Sequence, residues 1–549
     1  MPLLPPKKSA PKKSAPKTSA IRFGLVIALA LGAGALLRHA TADGTNNYPA
    51  AALTAPSDPA ALIARGKYLV TAADCGPCHT GPNHAPFSGG LVMNTPFGGL
   101  ATPNITPDPA TGIGGWTEAQ FYDALHYGVA PGGSWLVFPR FLYPAMPYTS
   151  YTKLSRADVT AIKAYLDSLA PVSVPPTPSS MMFPFSQRPV LLGWRLLFFR
   201  AGPMTMDPAW DDHLKNGAYL TEALGHCGEC HTPRNLLSAT MPSLAYAGAP
   251  IDAFYAPNIS SDKTQGVGGW SSADLVAYLH DDGNMVKGSP YAAMGEMTDN
   301  STSQIPVSDD QDIALYLQTA TAPVQTTPPP AVDGASASET RGAALYTANC
   351  AGCHGADGAG RGPQIIPNLA GNGSVTAAYP TNIFGAVLSG LDAWGNGPAM
   401  PSFATSLSDQ DVADIANYVR TAWGNTGVPN AAPADVKALR AVAMVPASAD
   451  AAADALACPR ISATGVNDPG NGLLDIYQGA TPETVPSRTS ALIAAIRQGN
   501  ASISDADLTD TLVAAYCPVV AHADGLSAAQ KRAALAAFIA TLPALEAAH

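Results

Sequence analysis

Charged side chains are scarce in this sequence: Asp, Glu, Lys and Arg make up 13% of 549 residues, about half the usual share for a soluble protein. Basic residues are outnumbered, 30 against 41 acidic ones, so nucleic acid is a poor partner. Long apolar runs are also missing. No run of about 18 residues occurs beyond the N-terminal region, which excludes a multi-span channel or transporter. No G-x-G-x-x-G opens a βαβ unit, so an ordinary flavin or nicotinamide site is not expected. Regular strands are too few for a propeller of the kind that carries pyrroloquinoline quinone. Long helical bundles are disfavoured by 50 Gly and 51 Pro, which imply short elements and many loops. What is present is 47% apolar residues, enough for several cores in three to five domains.

Residues 1–42 have the anatomy of a secretory signal. Lys7, Lys8, Lys12, Lys13 and Lys17 precede an apolar run from Phe23 to Leu37, bounded by Arg22 and Arg38. Fifteen residues at about 1.5 Å each fall short of a hydrocarbon core. Ala40, Thr41 and Ala42 then form an A-x-A cleavage site. An uncleaved, short anchor is the other reading. Both place the remainder outside the cytoplasm, and a bacterial periplasmic setting at the inner membrane fits. Loss of 1–42 would remove seven of the 30 basic residues and none of the 41 acidic ones.

The eight cysteines carry the chemistry. Six fall into Cys75-Gly-Pro-Cys78-His79, Cys227-Gly-Glu-Cys230-His231 and Cys350-Ala-Gly-Cys353-His354. C-x-x-C-H is the attachment sequence of c-type haem. Two thiols add to the two vinyl groups of one porphyrin, and the adjacent His lies beneath the iron as proximal ligand. Zinc would want a second Cys or His pair nearby, and none lies within about forty residues. A thioredoxin-like pair does not need the His. Three covalent haems are therefore expected.

The three motifs sit in three copies of one plan. Each copy opens with a helix reading R-G-x-x-L or N-G-x-Y-L, at Ala61 to Ala73, Asp212 to Leu224 and Glu339 to Ala348. The first and third close on a helix reading L-S-x-x-D-V-x-x-I-x-x-Y, with Ser155 and Ser408 as N-caps. The second, from Val307-Ser308 to Tyr316-Leu317, is two residues shorter and should be capped differently. In between, Pro103-Asn104-Ile105 and Pro257-Asn258-Ile259 each lead to a G-x-G-G-W block ending in Trp116 or Trp270. Pro367-Asn368-Leu369 is the third counterpart. Two roles are open for the Pro-Asn pair: holding the loop at the haem edge, or turn chemistry. Both Trp residues should start a helix and pack in the core.

A sixth iron ligand suits rapid electron transfer, and a thioether raises the potential. Met146 in Tyr-Pro-Ala-Met-Pro, Met294 in Tyr-Ala-Ala-Met-Gly and Met400 in Gly-Pro-Ala-Met-Pro hold the same slot, expected in a loop before the last helix. Met285 and Met297 compete with Met294. His84, His126, His226 and His280 are the bis-His alternatives, otherwise expected near the surface or the propionates. The fold class is thus mainly α: three tandem class I cytochrome c-like domains at 55–170, 207–320 and 337–425. Segments 171–206 and 321–336 link them. A small helical domain at 440–549 follows, with Cys458 and Cys517 expected as a disulfide outside the cytoplasm. Within the first linker, residues 189–199 are too apolar for a free tether. They can pack between domains, or dock on a partner or the membrane surface.

Across about 55–425 the chain resembles the tri-haem cytochrome c subunits of bacterial membrane-associated dehydrogenases. The resemblance rests on the three C-x-x-C-H sites, the P-N-I…G-x-G-G-W blocks, the P-A-M-P-Y loop at Met146 and the W-R-L-L-F-F stretch at Trp194. Such subunits serve enzymes that oxidise alcohols, gluconate, sorbitol, fructose or aldehydes. The resemblance implies a non-catalytic subunit that takes electrons from a dehydrogenase catalytic subunit and passes them to ubiquinone, a terminal oxidase or another cytochrome. A free-standing periplasmic carrier and a haem peroxidase are the competing readings. The stretch after about residue 440 departs from that plan.

Overall fold

The glycine of each Arg-Gly or Asn-Gly motif lies where two helices cross, and these crossings organise the chain. The structure, a computed structural model, describes residues 48–441 apart from 83, 135–137, 252, 282, 285, 363–364 and 392–398; beyond them it describes 476–477, 480, 484–499, 505–521, 523, 525–526 and 528–546. The signal segment 1–42 and Cys458 lie outside the described residues.

The first stretch runs α1 (Pro59–Ala72), α2 (Cys75–Cys78), β1 (Val92–Thr95), β2 (Gly98–Ala101), α3 (Glu118–Tyr127), β3 (Val129–Ser134), β4 (Phe138–Phe141), α4 (Tyr148–Tyr151) and α5 (Arg156–Asp167). The linker supplies β5 (Ser180–Met181) and α6 (Leu191–Phe198). The second stretch holds α7 (Asp212–Tyr219), α8 (Gly228–His231), β6 (Ala249–Ile251), β7 (Phe254–Ala256), α9 (Ser272–His280), α10 (Ala292–Asn300) and α11 (Val307–Thr319). The third holds α12 (Ala335–Asn349), α13 (Ala351–His354), α14 (Gly373–Thr376), α15 (Thr381–Ser389), α16 (Asp409–Thr421) and α17 (Pro433–Arg440). Three helices close the chain: α18 (Val485–Gly499), α19 (Asp505–Ala521) and α20 (Ala528–Glu546). The sheets are small and antiparallel, in the order β1-β2-β5, β3-β4 and β6-β7.

α1 crosses α5, α7 crosses α11 and α12 crosses α16. A Cβ added at Gly66 would lie 1.9 Å from Ala161 O. At Gly217 it would lie 2.0 Å from Asp312 O, and at Gly342 2.0 Å from Asp414 O. Only glycine lets the two backbones approach so closely. The residue before each glycine ties the same crossing. Arg65 donates to Asp158 (3.0 and 3.1 Å), Asn216 to Asp309 and Asp312 (2.9 Å each), and Arg341 to Asp414 (2.6 and 2.9 Å).

The caps follow the local sequence. Ser155 Oγ accepts from Asp158 N, and Ser408 forms a reciprocal capping box with Asp411. α11 starts one residue before Ser308, on Pro306, with no side-chain cap. Trp116 and Trp270 stand just ahead of the capping residues Thr117 and Ser271 and pack against the core.

The first two stretches share one hydrophobic core. Leu69, Phe121, Val159 and Ile162 from the first pack with Tyr219, Leu224, Leu275 and Ile313 from the second. Met204 and Met206, at the end of the linker, are buried in the same core. Polar bonds cross this seam: Tyr219 Oη donates to Asp158 (2.8 Å), Lys153 pairs with Glu222 (2.8 Å), and Tyr68 Oη donates to Asp309 (2.8 Å). The third stretch has its own core around Phe384, Leu388, Val412 and Ile415. That core reaches past residue 425: Val436 of α17 is fully buried in it, and Arg440 Nε donates to Asp409 (2.7 Å). The Asn382 side chain joins this unit to the second one, exchanging bonds of 2.8 and 2.9 Å with the Tyr255 backbone. The closing helices bury Leu492, Leu512, Cys517 and Phe538 together, and α20 touches α13. Among the described residues, no helix is long and apolar enough to cross a membrane.

Candidate haem-binding sites

Each C-x-x-C-H set folds as one short helical turn at the end of its opening helix: α2, α8 and α13. The backbone closes the turn, with His79 N donating to Cys75 O, His231 N to Cys227 O and His354 N to Cys350 O at 3.0–3.1 Å. Every turn therefore presents its residues alike. Cys75, Cys227 and Cys350 are half-buried, whereas Cys78, Cys230 and Cys353 are exposed. Burial pushes the thiols of Cys75, Cys227 and Cys350 up to about 12. A thiol-disulfide enzyme needs the opposite shift. Among the described residues, no three His, Cys, Asp or Glu side chains gather as a metal cluster.

The histidines explain the Pro-Asn pairs. His79 Nδ1 bonds Pro103 O at 2.8 Å, His231 Nδ1 bonds Pro257 O at 2.7 Å, and His354 Nδ1 bonds Pro367 O at 3.3 Å. A carbonyl only accepts, so Nδ1 carries the proton and Nε2 keeps its lone pair. Burial lowers the pKa of all three imidazoles, which keeps them neutral. Neutral, oriented imidazole is the form that binds a metal.

The asparagines do turn chemistry. Asn104 Oδ1 accepts from Thr106 N (2.9 Å), and its Nδ2 donates to Val172 O (2.7 Å). Asn258 repeats this with Ser260 N (2.8 Å) and Val324 O (2.6 Å). Each clasps the linker that follows its own unit. Asn368 departs from the pattern, donating to Ala370 O (2.6 Å). Turn chemistry is thus what the side chains of Asn104 and Asn258 perform, while the proline carbonyls take a role the sequence did not suggest, as partners of the imidazoles.

One large cavity of about 2110 Å³ holds the first two sets. Cys75, Cys78, His79 and Met146 line it, as do Cys227, Cys230, His231 and Met294. Its walls are apolar, with Ile113, Phe121 and Leu125 near the first set and Val267, Leu275 and Ile313 near the second. A single small-molecule pocket is typically about 300–1,000 Å³, so this volume suits two bulky flat ligands. The donor set, two thiols beside an oriented imidazole that face an apolar cavity, fits covalent haem. The third set lies in the other core, where Cys350, Leu369, Met400 and Phe403 pack together.

The methionines differ in setting. Met146 lies in a turn, its N bonded to Tyr143 O at 3.0 Å. Met400 bridges to Leu391 in extended backbone. Met294 does not lie in a loop: it falls in the first turn of α10, one turn before Met297, which lines the same cavity. Met285 lies outside the described residues. Gly295 follows Met294, so no proline interrupts the helix there, whereas Met146 and Met400 are followed by Pro147 and Pro401. The alternative histidines are placed as follows. His280 is held by Asp310 (2.9 Å), and His84 faces Gly90 at the cavity wall. Of the two settings expected, surface or propionate, His126 does not take the first. It is buried, stacked on Tyr122, and burial lowers it to about 4.

Sequence reasoning did not find the seam between the first two sets. Tyr151 Oη donates to Ala73 O (3.1 Å), and its ring meets His226 edge-on at 5.7 Å between centroids. Asp74 and His226 each precede the first Cys of a set, and both have positive φ, 47° and 38°. Tyr151 therefore bridges the segments that lead into the first two Cys-x-x-Cys-His turns. The signal was present in the matching position of the two residues, but nothing local pairs them.

The cytochrome c family model matches residues 339–423, the third of these units. The chain is 34% identical over 407 residues to the alcohol dehydrogenase (quinone) cytochrome c subunit of Gluconacetobacter polyoxogenes, covering 70% of this chain and 85% of that one. It is 36% identical over 424 residues to the gluconate 2-dehydrogenase cytochrome c subunit of Pantoea cypripedii, covering 72% and 93%. The chain belongs to the dehydrogenase cytochrome c subunits. This cytochrome c subunit is also 39% identical over 264 residues to a diheme cytochrome c-type protein of Cereibacter sphaeroides, covering 46% and 84%.

Proposed function

We propose that the subunit is a three-haem electron relay between a dehydrogenase catalytic subunit and a respiratory acceptor, quinone foremost. The observation that carries this is the threefold recurrence of one donor set, Cys-x-x-Cys-His with the imidazole Nδ1 on a proline carbonyl. The three units are read as class I cytochrome c-like domains, the first two fused through one core.

Bound haem supplies a one-electron iron couple, whose potential a thioether ligand raises relative to bis-His ligation. Everything else falls to the chain. Cys75 and Cys78, Cys227 and Cys230, and Cys350 and Cys353 anchor the three porphyrins. Pro103, Pro257 and Pro367 hold His79, His231 and His354 in the ligating tautomer. Met146, Met294 and Met400 are the sulfur ligands. The apolar walls exclude water and limit reorganisation of charge. Both named dehydrogenase relatives are the cytochrome c subunits of dehydrogenases, which supports a partner subunit as the electron source. The periplasmic face of the inner membrane suits covalent haem, and there Cys458 and Cys517 would form a disulfide.

The test uses the purified subunit with ethanol, gluconate, sorbitol and an aldehyde, each with an artificial dye. No turnover is expected, while a partner dehydrogenase with its substrate should reduce all three haems. Turnover with no second polypeptide present would overturn the reading.

A further inference from the structure

The cavity of the first two sets is unevenly charged. Among the described residues its carboxylates are Asp74, Glu229 and Glu296. Glu229 is held by Arg234 (2.6 Å) and Thr149 (2.7 Å). Asp74 leads into the first attachment turn, and Glu296 lies on α10, which touches that turn. The free acids thus stand at the attachment end. The lysines and arginines of the wall are Arg140, Arg188, Arg234, Lys287 and Arg420. Three of them are engaged. Arg234 holds Glu229, Lys287 lies over the Trp270 ring at 5.0 Å, and Arg420 donates to the carbonyls of Val428, Val375 and Ala377 (2.7–2.9 Å).

Arg140 and Arg188 are left without an anion. Arg140 lies on β4 and Arg188 in the turn ahead of α6. Among the described residues neither meets a carboxylate. Arg188 gives Nη1 to Phe141 O and stacks over the Tyr143 ring at 5.0 Å. The two guanidinium groups feel each other: burial first, and then the charge of Arg140, press Arg188 below its usual value, with Tyr143 opposing. Local sequence supplies no counter-charge, since residues 75–107, 124–157 and 168–206 contain no Asp or Glu. Two like charges side by side, one of them half-buried, are unfavourable until an anion meets them.

Two planar forks facing one cavity suit carboxylates, which each fork can take in bidentate fashion. Haem carries two carboxylates, its propionates, on the porphyrin edge away from the vinyl groups that the thiols take. Cys75 and Cys78, with the neighbouring acids, match the vinyl edge. The arginines match the propionate edge. Arg140 stands six residues before Met146, and Leu142, Tyr143 and Met146 line the same wall, which points to the first haem.

We propose that Arg140 and Arg188 clamp the propionates of the first haem, fixing the porphyrin by that edge and raising the potential of its iron. The inference deepens the haem reading and rests on it. Positive charge beside the porphyrin disfavours the oxidised iron, which carries one more positive charge than the reduced one.

The test is a spectroelectrochemical titration of the full-chain haem protein, with intact mass and resonance Raman spectra beside it. Cys75→Ala with Cys78→Ala identifies the first haem by the midpoint potential that disappears. Arg140→Gln with Arg188→Gln should lower that same potential, on the order of a tenfold change in its reduction equilibrium, which is 59 mV for one electron. The propionate bending bands should move with it. Arg140→Lys with Arg188→Lys should recover part of the potential, because the charge returns without the fork. Should Arg188→Gln fold poorly through loss of its Phe141 bond, Arg140→Gln alone carries the test. Unchanged potential and Raman bands in a variant that keeps three haems overturn the clamp alone, as does a shift confined to another haem. A parent without haem at the first site overturns the haem reading itself. A parent whose first potential moves with added inorganic phosphate at fixed ionic strength also overturns the clamp, because the arginines would then be open to a free anion.

Discussion

Gly342→Ala should disrupt the third unit out of proportion to one methyl group. The new Cβ would sit 2.0 Å from Asp414 O and 2.6 Å from Asp414 C, with Tyr418 Cβ at 2.8 Å. Backbone atoms of α16 cannot rotate away, so α12 and α16 must separate by about 1 Å or more to reach van der Waals contact. Overpacking of this kind costs about 1–3 kcal/mol, and a rigid backbone neighbour puts it at the upper end. Alanine returns roughly 1 kcal/mol through better helix propensity. The net is a loss of about 2 kcal/mol, or a fall in Tm of roughly 8–16 °C for a unit of this size. The assay is thermal unfolding of the full haem protein, followed by circular dichroism and by absorption of the haem band. Gly193→Ala is the control, because nothing lies within 4 Å of a Cβ there. It should leave Tm unchanged or raise it slightly. A Gly342→Ala protein that melts with the parent would refute the close crossing as the reason for glycine in this motif.

Intact mass should show three haem increments on the parent and two on Cys350→Ala/Cys353→Ala; three on that variant would reject the third attachment site. Met400→Ala should remove about a third of the sulfur-to-iron charge-transfer band and lower one midpoint potential, in line with the effect of a thioether ligand; an unaltered band rejects Met400 as ligand. Asp74 is raised to about 7, first by burial and then by Glu296. Its folded pKa thus exceeds its unfolded one, so its contribution is complete below about pH 4 and lost as pH rises through 7. Denaturant melts of Asp74→Asn should show a shallower loss of stability over that window, and an identical pH profile would contradict this.

Much of the site was legible because covalent attachment is a local matter. Thiols two residues apart with a following imidazole suffice to name the ligand, whatever surrounds them. The helix ends at Ser155 and Ser408 were equally readable, since a cap answers to the backbone amides three residues on. The absent serine cap on α11 followed from a two-residue deletion. Met294 was readable only as a slot. Its helical setting depends on how α10 packs, which spacing does not report.

The sequence by itself determined the three Cys-x-x-Cys-His turns and the serine-capped helix starts at Ser155 and Ser408, because each is decided by neighbours within a few residues. Tertiary structure alone decided three other things. It put Pro103, Pro257 and Pro367 carbonyls on the imidazoles, across 24, 26 and 13 residues of chain. It fused the first two units into one core, through Tyr219 on Asp158 and Met204 and Met206 in the seam. It turned Leu197 of α6 toward the cavity of the first two sets and packed Leu191 with Val129 and Phe141. The physical reason is common to all three: the stability of a packed surface depends on which distant surface it meets, and a run of residues carries no record of its partner.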